Sequence, residues 1–216
     1  MPPGWQHIVA HDVVPSRGGY QRRPPVDDPR FPAPSRLSAL RHRWPTAFAV
    51  LLALATAGDD GNGSITGLAE ALVLFPLGYL LASVIGRPSL TWWLAGGAVT
   101  ALASLRLQSA VEPAAVLLAA GVALVAWASI VNRGRPSWPV TVEAAGFAGF
   151  AALALSALAA GGDVGVWIVA LGWLGHAGWD WWHHRAGTVV SRSFAEWCGV
   201  FDALGALGIV GVAMFA

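Results

Sequence analysis

His176, Asp180, His183 and His184 fall within residues 175–185, a stretch that closes an otherwise apolar run and also holds Trp179, Trp181 and Trp182. At about 100° per residue these four ionisable side chains share one face of a helix. Such a set suits three kinds of chemistry. A histidine and a carboxylate four residues apart can ligate a divalent metal, with a carboxylate from another helix completing the shell. A histidine flanked by desolvated carboxylates can relay protons. The same groups can also bond only to one another and fix how helices sit together. Ionisable side chains inside a membrane segment are costly and by default mark function.

Two further acids fall at matching heights. With a rise of about 1.5 Å per residue, His176 lies about 12 Å and Asp180 about 6 Å inside the bilayer, if their segment leaves it near His184. On the same scale Asp202 lies about 9 Å deep and Glu143 about 7–8 Å deep in neighbouring apolar segments. The candidate catalytic set is therefore His176, Asp180, Asp202 and Glu143, and the candidate metal ligands are His176 and Asp180. His183, His184 and Arg185 are expected at the membrane surface. Ala195, Cys198, Gly199, Gly205 and Ala206 lie on the side of Asp202, a small-residue face suited to close helix approach. Cys198 on that face reads as a packing residue. Glu70 and Arg106 fall at a common level near the opposite ends of their segments and read as an ion pair. Residues 59–64 (Asp-Asp-Gly-Asn-Gly-Ser) read as a turn with Ser64 capping the next helix, because they lack the spacing and terminal glutamate of a calcium loop.

The elements that must position these residues are seven apolar segments near 44–58, 65–86, 90–107, 113–132, 139–160, 164–183 and 195–215. About 20 apolar residues cross a hydrocarbon core of about 30 Å. The expected fold is thus an all-α polytopic transmembrane helical bundle of about seven spans, or six if the short first segment lies in the interface. Pro76 is expected to kink the second span. The charge pattern gives the orientation. All 13 basic residues are arginine. Arg17, Arg22, Arg23, Arg30, Arg36, Arg41, Arg43, Arg87, Arg133, Arg135, Arg185 and Arg192 fall in alternate loops, and Arg106 alone falls in the other set. By the positive-inside rule the N-terminus is cytoplasmic. Trp44, Trp92, Trp93, Trp138, Trp181, Trp182 and Trp197 sit near span ends, as an interfacial aromatic belt requires.

Composition narrows the classes. Of 216 residues 56% are hydrophobic and 12% charged, about half the charged share of an average soluble domain. Residues 1–43 form a Pro/Arg-rich stretch expected to be a disordered cytoplasmic tail, and residues 44–216 the transmembrane domain. The tail does not resemble a signal peptide or a twin-arginine export signal. One cysteine excludes an internal disulfide and a cysteine-cluster metal site. The arginines form no basic folded face, so nucleic acid is not an expected partner; the lipid bilayer is. The Ala/Gly-rich, lysine-free composition suits a GC-rich bacterium and hence its cytoplasmic (inner) membrane.

His176-Ala177-x-Trp179-Asp180-x-x-His183-His184-Arg185, followed by Arg192-Ser193-Phe194-Ala195-Glu196-Trp197-Cys198, resembles a group of uncharacterised bacterial polytopic membrane proteins. The resemblance covers about the last two spans and implies no activity. Glu70 and Asp202 also resemble the acid pair of small seven-span membrane terpene cyclases, but the segment layout places them at opposite faces. The leading functional expectation is a membrane-embedded enzyme acting on a lipid or isoprenoid-like substrate, with a divalent metal as the one cofactor its donors suggest. A small proton-coupled carrier or accessory subunit, and a structural membrane partner without chemistry, are the alternatives.

Overall fold

The computed structural model describes residues 43–57, 65–108, 111–132, 134 and 137–215. Among them every regular element is helical: α1 (Trp44–Ala57), α2 (Ile65–Ile85), a 3-10 turn (Pro88–Leu90), α3 (Thr91–Arg106), α4 (Pro113–Val131), α5 (Trp138–Ala160), α6 (Gly162–Ala186) and α7 (Arg192–Phe215). All seven expected apolar segments are helices. The tail expected over residues 1–43 lies outside the described residues apart from Arg43, as does the turn over residues 59–64.

Length and composition make α2, α4, α5 and α7 able to cross a membrane. At 14 and 16 residues, α1 and α3 reach only about 21 and 24 Å. With 25 residues α6 is the longest helix, about 37 Å, but it carries the polar face. It starts earlier and ends later than the expected 164–183. Gly161 and Gly162, at φ 59° and 48°, turn the chain sharply out of α5. Gly187 adopts the left-handed conformation (φ 62°, ψ 28°) and its N–H donates to the His183 carbonyl at 2.7 Å, closing α6. α2 runs unbroken through Pro76.

α2 is the hub, packed against α3, α4, α5 and α6. The most extensive interface joins α6 to α7, and α1 leans on α7. Polarity is inverted relative to a water-soluble protein. Trp93, Ile130, Trp138, Val122, Leu171, Leu207 and Phe215 are exposed, whereas Glu70, Glu143, His176, Asp180, His183 and Asp202 are buried. An apolar exterior around a polar interior suits a chain whose solvent is lipid. The protein is a helical membrane bundle.

The aromatic belt is only partly formed. Trp44, Trp93, Trp138, Trp181 and Trp182 are exposed. Trp197 is instead buried, stacked on Phe201 at 5.7 Å and on Phe48 at 5.9 Å. The half-buried Trp92 donates from Nε1 to Ser193 Oγ at 3.1 Å. Both tryptophans tie α7 to its neighbours, because α1 and α3 cover the ends they were expected to present to lipid.

Candidate functional site

The polar face of α6 repeats at four and three residues, so His176, Asp180 and His183 point the same way into the bundle. All three are fully buried. α7 faces them with Cys198 and Asp202, again four residues apart and fully buried. The two helices approach closely at Gly199, where an added Cβ would lie 3.1 Å from the Asp180 Cβ. A side chain there would press on Asp180 and force the two helices to give by a few tenths of an ångström.

His176 Nδ1 lies 2.7 Å from Asp202 Oδ2 and 3.2 Å from Asp180 Oδ2. One imidazole nitrogen thus serves two carboxylates on two helices. Asp180 Oδ1 accepts a short hydrogen bond from the Tyr79 hydroxyl on α2. One donor atom from each of His176, Asp180, Cys198 and Asp202 can be chosen so that all four lie within 4.8 Å of one another. Two polar atoms of the cluster, His176 Nε2 and Asp202 Oδ1, have no hydrogen-bond partner among the described residues. The His176 ring is packed against Phe150 (4.9 Å), Tyr79 (5.6 Å) and Phe75 (5.8 Å). Its unpaired nitrogen therefore lies in aromatic surroundings.

A second buried pair adjoins the first. His183 Nε2 lies 2.7 Å from Glu143 Oε1 on α5. His183 Nδ1 donates to the Trp179 carbonyl at 3.1 Å. That bond fixes one ring proton on Nδ1, so the proton between Nε2 and the carboxyl is shared by the pair. Trp179 Nε1 donates to Glu143 Oε2 at 3.3 Å. The Tyr79 ring stands between the two histidines, 4.7 Å from His183 and 5.6 Å from His176, edge to face with each.

His176, Asp180 and Asp202 meet as the depth argument expects. Glu143 does not join them: its partners are His183 and Trp179, because it meets α6 nearer the C-terminal end of that helix than His176 does. His183 is buried rather than at the surface, since its position on α6 turns it toward α5. His184 and Arg185 match expectation better. His184 is half-buried and donates from Nδ1 to the Arg192 carbonyl at 3.0 Å, while Arg185 lies 4.8 Å over the Trp181 ring. Cys198 is a member of the cluster, beyond its packing role. Tyr79 went unnoticed in the sequence, although a tyrosine deep in an apolar helix signals a buried hydroxyl that needs a partner.

Glu70 pairs with Arg106, whose Nη2 and Nε lie 2.6 and 2.8 Å from Glu70 Oε2. It sits at the far end of α2 from Tyr79. Between them Leu72, Val73, Leu74, Pro76 and Leu77 are buried. The polar groups therefore crowd the half of the bundle that ends at His184, and an apolar layer closes off the half that ends at Glu70.

No family model, curated protein or solved structure matches this chain.

Proposed function

We propose that this chain is a seven-span protein of a bacterial cytoplasmic membrane with its N-terminus in the cytoplasm. We further propose that His176, Asp180 and Asp202 form the acid–base centre of a membrane-embedded enzyme acting on a lipid or isoprenoid-like substrate. The arginine distribution supports the orientation, since it assigns the His184 end of the bundle to the cytoplasm.

One observation carries the catalytic reading. His176 is anchored at Nδ1 by two carboxylates, while Nε2 is buried, unpaired and surrounded by aromatic rings. Buried polar atoms are nearly always paired, so an exception at a histidine calls for a role. A histidine oriented by carboxylates at one nitrogen presents the other to a reacting group. Aromatic faces around it would stabilise positive charge developing on an apolar substrate. Asp180 and Asp202 orient the ring, and Tyr79 orients Asp180. The Glu143–His183 pair, about 10 Å nearer the end of α6 than His176, leads from the cytoplasmic side toward this centre.

A proton-coupled carrier would need polar groups continuing to the other face. The buried apolar layer between Tyr79 and Glu70 favours a centre served from one side.

The test compares membrane lipids from cells expressing the wild-type chain or His176→Gln at matched levels. The reading expects a lipid or isoprenoid species whose abundance depends on the wild-type protein and reverts in the variant. Identical lipid profiles from the two would overturn it.

A further inference from the structure

The cluster between α6 and α7 has more acceptors than donors. Two carboxylates share the single hydrogen that His176 Nδ1 can offer, and the Tyr79 hydroxyl supplies one more. Asp202 Oδ1 receives none among the described residues. Two buried acids against one imidazole leave negative charge poorly compensated, and buried charge is costly unless it is paired or coordinates a metal. The remaining side chain in contact range is the Cys198 thiol, in hydrogen-bonding contact with Asp180.

We infer that His176, Asp180, Cys198 and Asp202 bind one divalent transition-metal ion through one nitrogen, two carboxylate oxygens and one sulfur. The inference rests on the acid–base reading, because it deepens the role of the same imidazole. Four donors of three kinds from two helices, mutually within 4.8 Å, form a closed four-coordinate set. Ligands at about 2.0–2.3 Å around a tetrahedral ion stand about 3.3–3.8 Å apart, so the widest separation closes by about 1 Å on binding. The donor set selects the metal class. Calcium and magnesium take oxygen ligands, whereas mixed nitrogen and sulfur donors suit zinc and its cobalt substitute. The dication lowers the charge of two carboxylates and one thiolate from −3 to −1.

Binding at Nδ1 moves that hydrogen to Nε2, and the thiol proton is released to water. The imidazole then carries its hydrogen on Nε2, the edge that lacks a partner. The metal would therefore fix the tautomer that presents an N–H to the aromatic surroundings. Phe75, Phe150 and Phe201, with Trp173, close the cluster toward the Glu70 end and keep water from competing for the ion. Gly199 permits the helix approach that sets the donor spacing.

The experiment uses the full chain in detergent, stripped with a chelator and titrated with Co2+ or Zn2+. Expected are one ion per chain by elemental analysis and a thiolate-to-cobalt charge-transfer band in the near ultraviolet. Cys198→Ser removes little volume and should abolish that band; Asp202→Asn should weaken Zn2+ binding by tenfold or more. Monodisperse elution of both variants confirms that they fold. If either does not fold, the wild-type cobalt spectrum still decides, because a band of that kind requires the one thiolate the chain has. Less than a tenth of an ion per chain, or an unchanged spectrum in Cys198→Ser, overturns the site. A protein that binds no metal but whose lipid product is lost in His176→Gln refutes the metal and spares the acid–base centre. Stoichiometric metal with a lipid profile indifferent to His176→Gln does the opposite.

Discussion

Tyr79 does two things at once: its hydroxyl holds Asp180 and its ring separates two histidines. Replacing it with phenylalanine keeps the ring and removes the hydroxyl that donates to Asp180 Oδ1. The expected loss is about 1–3 kcal/mol, the cost of a buried acceptor left unpaired. Thermal unfolding in detergent should show a lower midpoint for Tyr79→Phe, and an unchanged midpoint would mean the bond contributes nothing. The Glu143–His183 pair allows a sharper measurement. Either Glu143→Leu or His183→Leu strands a buried polar partner and should destabilise by about 3–5 kcal/mol. The double variant strands neither and should cost clearly less than the sum, with a coupling of about 0.5–3 kcal/mol. Strict additivity would show that the two groups act independently. At this scale the sequence was half legible. Rise per residue grouped Glu143 with His176, but its partner is His183, about two turns further along α6, because depths counted on separate helices do not say which side chains meet. His183 was misplaced for the same reason, because distance from the helix end says nothing about which neighbour covers a side chain.

Helix boundaries were far more legible than helix neighbours. Apolar runs and the turn residues between them located all seven helices, since glycine and proline punctuate the chain wherever the backbone must turn. The misses lie at the start of α7, which begins at Arg192 instead of residue 195, and at the two ends of α6. There Gly162 and the residues up to Ala186 continue the helix, and Gly187 stops it by adopting positive φ. The small-residue face of α7 was read correctly as a contact surface, and its effect is positional. Gly199 sits against Asp180, whereas an added Cβ at Gly208 meets nothing within 4 Å. Gly199→Val should therefore destabilise by about 1–3 kcal/mol through overpacking, relative to the small helix-propensity gain both substitutions share. Gly208→Val in the same helix is the control. Equal melting midpoints for the two variants would contradict a close approach of α6 and α7 at the site.

The whole molecule wears its apolar surface outside and hides its acids, and composition alone announced that arrangement. The proposed topology rests on arginines that sit at alternate ends of the helices, and it can be checked with the one native thiol as an internal reference. Cys198 is fully buried, so a membrane-impermeant maleimide should leave the intact wild-type chain unlabelled. Glu112→Cys, before α4, should be labelled from outside intact cells. Arg185→Cys should be labelled only after the membrane is opened. Labelling of both positions in intact cells would refute the proposed orientation and span count. The charge rule acts on loops, which the sequence displays directly. The convergence of α2, α5, α6 and α7 depends on packing between distant segments and could not be read in the same way.

The short connection from Gly187 to Ser191 has a consequence for how the protein is made. As a lone segment leaving the ribosome, α6 carries His176, Asp180, His183 and His184, and it has no acid of α7 to meet them. Polar residues at such depth oppose insertion by about 2.5–3.5 kcal/mol for each charge at the segment centre. Asp202, the partner of His176, arrives only with α7, which starts after a five-residue connection. The two helices should therefore enter the bilayer together, as a hairpin whose sharp bend at Gly187 is already formed. A chain truncated after Ala186 should leave α6 at the membrane surface or be degraded, whereas one truncated after Phe215 should insert it fully. A glycosylation or protease-protection assay on the nascent chains distinguishes the two fates.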